Sequence, residues 1–364
     1  MGNVAKSLNW AAGLAIALGI SACGDDDGRG SAGTNPGITG IGDGTAGDGG
    51  TAGDGDGDGG TANASADGPP KFDIGAGSAA TAGDGLMPEE GCQAVDFLFV
   101  IDNSVSMEGE QAALVGAFPG FIDTIQTTLE ADSDYHIMVA DTDEWGRCNT
   151  GNGFVGMDPS SSTCNNYIET TNFEECDRVR GAGVVHPAGE FASNMPCNFQ
   201  GGKRYIEAGE PDIAAAFSCA AQVGTAGHPS ERPMDGMVEA LSDALNAPGG
   251  CNEGFLRDDA LLVVTFMSDD PNYEDTGTPA DWYDAVLAAK NGDPAAVVVL
   301  GLTTNTPGCG GDNNENGNHW VEFIDMWANG LHGNVCGTAA EFNAFFEMAV
   351  STIDQACDEY TPPG

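Results

Sequence analysis

The chain has 364 residues, with 56 acidic against 11 basic side chains and a formal net charge of −45 at pH 7. So acidic a polymer is repelled by a phosphate backbone, which excludes nucleic acid as a partner. The length would admit two domains, but the composition is uneven and the front of the chain is not of globular type.

Met1 to Ala22 carries one lysine, Lys6, and an apolar core from Ala11 to Ile20. That core is too short to span a bilayer and reads as a secretory leader. Its Ile20-Ser21-Ala22-Cys23 ending resembles the lipobox of bacterial lipoproteins, which implies that Cys23 is lipidated and begins the mature chain. By the same resemblance, Gly24 in place of an aspartate after Cys23 points to the outer membrane, on its periplasmic or its exposed face. Residues 23–90 are mostly glycine, alanine, threonine and aspartate, with almost no large apolar side chain before Phe72. Such a segment cannot bury a core and is expected to be a disordered tether. Within it Asp54, Asp56, Asp58 and Gly59 match the first half of a calcium loop, but no glutamate closes it at the twelfth position.

The globular part is expected over residues 91–364. Val95 to Ile101 is apolar except at Asp96, then stops at Asp102, Asn103, Ser104, Val105 and Ser106. Strands apolar on both faces belong to parallel sheets covered by helices, and their ligands bind beyond the carboxyl ends. Leu114, Phe118, Phe121, Ile122, Ile125 and Leu129 follow at helical spacing, with Pro119-Gly120 expected to kink the helix. Tyr135 to Ala140 is the second strand, ending at Asp141, Thr142 and Asp143. Residues 141–209 then hold four cysteines and little periodicity, and are expected to be a disulfide-stapled insertion on the rim that bears the Asp102 loop. Lys203 to Ile206 predicts a short edge strand where the chain re-enters, and Pro211 to Ala221, after the stretch, a helix. After the Gly224-Thr225-Ala226-Gly227 loop, Met234, Met237, Val238, Leu241 and Leu245 predict one further helix. Ala260 to Met267 is a buried strand that ends in Ser268, Asp269 and Asp270. A helix over Asp281 to Lys290, a strand over Ala295 to Leu302, a glycine-asparagine loop over Gly308 to Asn318, and two helices marked by Trp320 to Trp327 and Phe342 to Ile353 complete the chain.

Of 11 cysteines, all but Cys23 form an even set, which in an exported chain reads as a disulfide framework. Zinc is the alternative for Cys148, Cys164, Cys176, Cys197 and His186, although no C-x-x-C pair is present. The five histidines show no order that commends a catalytic triad.

A carboxylate and two hydroxyls at i, i+2 and i+4 can turn their oxygens to one centre, as hard divalent cations require. Together with Thr225 and the Ser268-Asp269 strand end, the Asp102-x-Ser104-x-Ser106 loop resembles the metal-ion-dependent adhesion site, or MIDAS, of von Willebrand factor A (VWA) domains. The resemblance runs from about Cys92 to Cys357, and the chain also resembles lipoproteins of myxobacteria-like organisms that carry such a domain. It implies a doubly wound α/β sheet; direct contacts to Mg2+, Mn2+ or Ca2+ from Ser104, Ser106 and Thr225; and contacts through water from Asp102 and Asp269. It further implies a carboxylate on a protein or surface ligand that completes the ion's shell, and hence adhesion and not enzymatic turnover. Thr225 in its loop would equally serve a plain turn. Replacing Asp102 or Ser104 by alanine is expected to remove the metal and leave the circular dichroism spectrum nearly unchanged. Related A domains often carry a terminal disulfide, here Cys92 to Cys357; topology agrees, since both ends fall on the rim away from the metal loops, and an insertion cysteine is the competing partner for Cys92. Two rivals remain: a metal-assisted hydrolase, for which no general base is apparent, and an envelope protein whose metal only stabilises.

Overall fold

The computed structural model describes residues 92–128, 134–143, 174–227, 232–269, 275–304 and 318–363, all within one unit, Thr81–Gly364. The expected leader, Cys23, the expected tether, Cys148, Cys164, Asp270 and most of the 308–318 loop lie outside the described residues.

The apolar runs become the middle of one sheet. β1 (Ala94–Ile101) is followed by α1 (Glu108–Thr128), β2 (Asp134–Asp141), β3 (Ile206–Glu207), α2 (Ile213–Ala221), α3 (Pro233–Ala240), α4 (Asp243–Asn246), β4 (Leu261–Met267), α5 (Pro279–Ala289), β5 (Val297–Thr303), α6 (Asn318–Asp325), β6 (Gly330–Asn334) and α7 (Ala339–Glu359). The strand order is β3-β2-β1-β4-β5-β6. All pairings are parallel except β2 with β3, an antiparallel edge. This is a doubly wound α/β sheet with a disulfide-bonded insertion.

Side-chain alternation sends successive residues of each strand to opposite layers. Val95, Phe97, Phe99, Val263 and Leu300 pack under α1, α2 and α7, with Phe118 stacked on Phe217 and Phe121 against Phe346. Leu98, Val100, Val264, Phe266 and Val299 pack under α3, α5 and α6. The central strands are buried along nearly their whole length, which is why they read as continuous apolar runs.

Several elements differ from the sequence expectation. α1 runs unbroken through Pro119; the proline is exposed, so the carbonyl that its ring deprives of a partner can turn to water. The methionine-marked helix ends at Ala240 because Asn246 and Asn252 side-chain amides both donate to the Ala240 carbonyl, at 2.8 and 3.1 Å. β6 has the sequence GLHGN, with no apolar run to announce it. It pairs with β5 from Val299 to Thr303, and side chains at Gly330 and Gly333 would overlap Ile324 and Phe345, which press on that edge.

Asp96, the one charge in the first run, is fully buried on the rim where the strands begin. Its carboxylate accepts from Arg257 N at 2.7 Å and Arg257 Nε at 2.8 Å, and the guanidinium reaches Asp134 at 2.6 Å. Burial pushes the Asp96 carboxyl up, against the pull of Arg257. On the same rim Cys92 is bonded to Cys357.

The insertion is not confined to the rim beyond the strand ends. Cys176 is bonded to Cys251, ahead of β4, and Val184 N donates to Val139 O at 2.7 Å along the edge of β2. Cys197 is bonded to Cys219 on α2. With Cys176 and Cys197 both in disulfides, the zinc alternative loses two of its five ligands.

Candidate metal centre

Strand order reverses between β1 and β4, and in a doubly wound sheet the crevice for ligands opens beyond the carboxyl ends at that point. The ladder closes there with Asp102 N donating to Met267 O at 3.0 Å. The next residues on each strand form the candidate centre.

Asp102 is fully buried and Ser104 nearly so, while Ser106 is exposed. Asp102 Oδ1 accepts from Ser104 N at 2.7 Å, the side chain folding back on its own loop. Asp102 Oδ2 accepts from Ser268 Oγ at 2.7 Å, across the sheet on the β4 loop. Ser106 Oγ crosses the same gap to donate to Asp269 Oδ1 at 2.9 Å and lies 3.4 Å from Ser104 Oγ. One carboxylate thus shapes the β1 loop from beneath, and two hydroxyls and a second carboxylate meet above it.

The third loop is joined to the first by a residue that sequence reasoning missed. Gln111, in the first turns of α1, donates to both Asp102 O and Gly224 O at 2.9 Å and accepts from Gly224 N at 3.0 Å. Gly227 N donates to Asn103 O at 2.8 Å, and a side chain at Gly227 would overlap the Asn103 amide. Thr225 is thereby carried to the centre's flank. Its hydroxyl faces Glu190 O at 3.5 Å and its N donates to the same carbonyl at 2.8 Å. The structure therefore brings Asp102, Ser104, Ser106 and Asp269 into one hydrogen-bonded set, and Thr225 beside that set. Ser268 was visible as the first polar residue after a strand; nothing local marked Gln111.

The surroundings are acidic. Burial pushes the Glu110 carboxyl up, and the Asp269 charge adds to the effect. Farther along the rim, Asp275 accepts from Met234 N and Asp235 N at 3.0 and 3.1 Å and from Trp320 Nε1 at 2.9 Å, joining α3 to α6. Burial pushes its carboxyl up to about 7.

Among the described residues no group of three or more His, Cys, Asp or Glu side chains is arranged to hold a metal. The set here is of another kind, hydroxyls with two carboxylates, and its donors are all oxygen. That chemistry suits Mg2+, Mn2+ or Ca2+. Neighbouring ligands of an octahedral ion at about 2.1 Å stand about 3 Å apart, close to the separation of the two serine hydroxyls. The ligand set therefore fits such an ion. With both carboxylate oxygens already bonded to the loops, Asp102 shapes the centre from below. Asp102→Ala would take the partner from Ser104 N and Ser268 Oγ in a buried place, so that variant is expected to lose stability as well as metal. Ser104→Ala and Ser106→Ala are the cleaner probes.

No family model and no curated protein matches the chain. Among solved structures it is similar to a von Willebrand factor type A protein from Catenulispora acidiphila, at 16% identity over 72% of this chain and 43% of that one, with a TM-score of 0.36. It is similar also to proximal thread matrix protein 1 from the mussel byssus, in a structure with a zinc-occupied MIDAS motif, at 12% identity over 72% and 49%, TM-score 0.36. A third is the pilus adhesin SpaC from Lactobacillus rhamnosus GG, at 11% identity over 74% and 31%, TM-score 0.36. The chain spans less than half the length of each of these proteins.

Proposed function

We propose that this chain is a bacterial cell-envelope lipoprotein, lipidated at Cys23 after removal of residues 1–22. Residues 23–90 tether a VWA-like domain that holds a divalent cation at a MIDAS and through it captures a carboxylate on a protein or surface partner. The observation that supports the cation centre is the double closure between the β1 and β4 loops, Asp102 to Ser268 and Ser106 to Asp269, at the reversal of strand order. The cation would be held by Ser104 and Ser106, with Thr225 alongside, and would offer a partner oxygen its open position. Asp102 keeps Ser104 oriented, and Asp269 takes the Ser106 proton into a hydrogen bond. The domain is proposed as a binding module and not as an enzyme.

Titration calorimetry with Mg2+, Mn2+ and Ca2+ tests the centre. It is run at about 0.15 M salt, where the Debye length is about 8 Å and nonspecific condensation on so acidic a chain is screened. Ser104→Ala and Ser106→Ala are expected to weaken binding by about tenfold or more with the melting curve nearly unchanged; equal affinities in wild type and both variants would refute the assignment. Anchoring is read separately: Cys23→Ser is expected to lose metabolic lipid label and move to the soluble fraction, and retention of label would exclude Cys23.

A further inference from the structure

Next to the Thr225 loop the insertion forms a turn, residues 189–194, that is held more firmly than an exposed loop requires. The Asn194 side chain folds back on it, accepting from Gly189 N and donating to Gly189 O and Ala192 O, each at 2.9 Å. Ser193 N donates to Gln222 O at 3.1 Å, Thr225 N donates to Glu190 O at 2.8 Å, and Cys197–Cys219 ties the following residues to α2. The fit against the rim is close: Gly224 has φ +85°, and a Cβ there would lie 2.7 Å from Glu190 O.

In this frame Phe191 sits at φ 60° with its side chain 52% exposed. A bulky aromatic in the left-handed region is a backbone outlier, and here about half of the residue stays exposed. Strain of that sort, over-determined by its surroundings, concentrates at ligand clamps. A second large apolar side chain is exposed at the mouth of the centre: Val105, 76% exposed, between Ser104 and Ser106. One apolar side chain is thus part of the metal loop, and the other is one residue from the carbonyl that holds Thr225. Around them the exposed charge is negative, with Glu108 and Glu190 at the surface. A polyacidic partner would be repelled from such a mouth; a single carboxylate could be drawn by the cation, and an apolar neighbour on the partner could cover Phe191 and Val105.

We propose that Phe191 and Val105 form an apolar collar around the cation centre. The occupant is a segment of a partner protein with one carboxylate, an apolar side chain beside it and no further acid. The proposal rests on the cation reading above and extends it to the partner's chemistry.

The experiment selects a displayed random-peptide library on the full chain in Mg2+, elutes with chelator, and measures selected synthetic peptides by calorimetry. Enriched sequences are expected to carry a single Asp or Glu next to, or one position from, an aromatic or branched aliphatic residue, with no net negative charge. Phe191→Asn, which keeps a residue tolerant of the left-handed backbone, is expected to weaken such a peptide by about tenfold with Mg2+ affinity unchanged, and Val105→Ala, which lies within the metal loop and is therefore read as peptide affinity at saturating Mg2+, is expected to weaken it by a similar factor. Rescue is expected in Phe191→Tyr. Enrichment of polyacidic peptides, absence of any chelator-eluted enrichment on a chain that binds Mg2+, or unchanged peptide affinity in both variants overturns the collar. Failure of the wild-type chain to bind Mg2+ overturns the cation reading itself, and the collar with it.

Discussion

Removing the Cys92–Cys357 disulfide, by alanine at both positions, is expected to lower the unfolding free energy by about 5 kcal/mol. The bridge joins residues 265 apart in sequence, nearly the whole described length, so the unfolded chain loses the closure entropy of a very long loop. By the chain-entropy model that amounts to about 5 kcal/mol. Both cysteines are buried in the layer under α1 and α7, so alanine adds a small cavity without introducing a polar group. For a domain of this size the loss corresponds to about 10–20 °C in melting temperature. Urea unfolding of the double variant against wild type, both with Mg2+ present, checks it. A loss below about 2 kcal/mol would mean that the ends are held together chiefly by Tyr360, whose hydroxyl donates to Asp258 O at 3.3 Å, and by the packing of α7.

Arg257→Leu is expected to cost about 3–5 kcal/mol, the range for removing one partner of a buried ion pair. Asp96 has no exposed surface, and the Arg257 side chain answers it at 2.7 to 2.8 Å while also holding Asp134. Without the guanidinium the carboxylate keeps the Arg257 backbone N–H and faces His136 at 3.6 Å, whose Nδ1 is already 2.8 Å from Phe255 O. The sign with pH follows. The folded Asp96 carboxyl is already raised by burial, and loss of Arg257 raises it further. The folded variant then holds a proton that the unfolded chain releases at lower pH, so its stability is retained in acid and falls as pH rises through the folded value. The deficit against wild type is expected to be larger at pH 8 than at pH 5 by urea unfolding. The paired change Asp96→Leu with Arg257→Leu is expected to recover much of the loss, since two apolar side chains leave no uncompensated charge. A double variant no better than Arg257→Leu would show that the pair serves packing and not charge compensation.

The strands at the centre of the sheet were legible because burial on both faces writes itself into consecutive residues: Val95 to Ile101, Leu261 to Met267 and Val297 to Leu302 are buried almost throughout. The strand-exit loops were legible for the related reason that a polar turn directly after such a run has only one place to be, beyond the carboxyl end. The starts of α5 and α7 carry local signatures too: Thr278 with Asp281 and Thr338 with Glu341 form capping boxes. The sequence by itself therefore determined the layered fold and the rim on which Asp102, Ser104, Ser106 and Asp269 stand. Only the tertiary structure decided how these residues engage. Ser268 meets Asp102 from 166 positions away and Gln111 meets Gly224 from 113, and no periodicity encodes a partner at that separation. The same holds for β6, which owes its strand conformation to the β5 edge and not to its own glycines, and for Asp96, whose burial is tolerated only because Arg257 arrives from the approach to β4. It holds also for Phe191, whose left-handed backbone is imposed by Asn194 and by the Thr225 loop. Local patterns record which face of an element is dry; the identity of the group across the gap is set by packing alone.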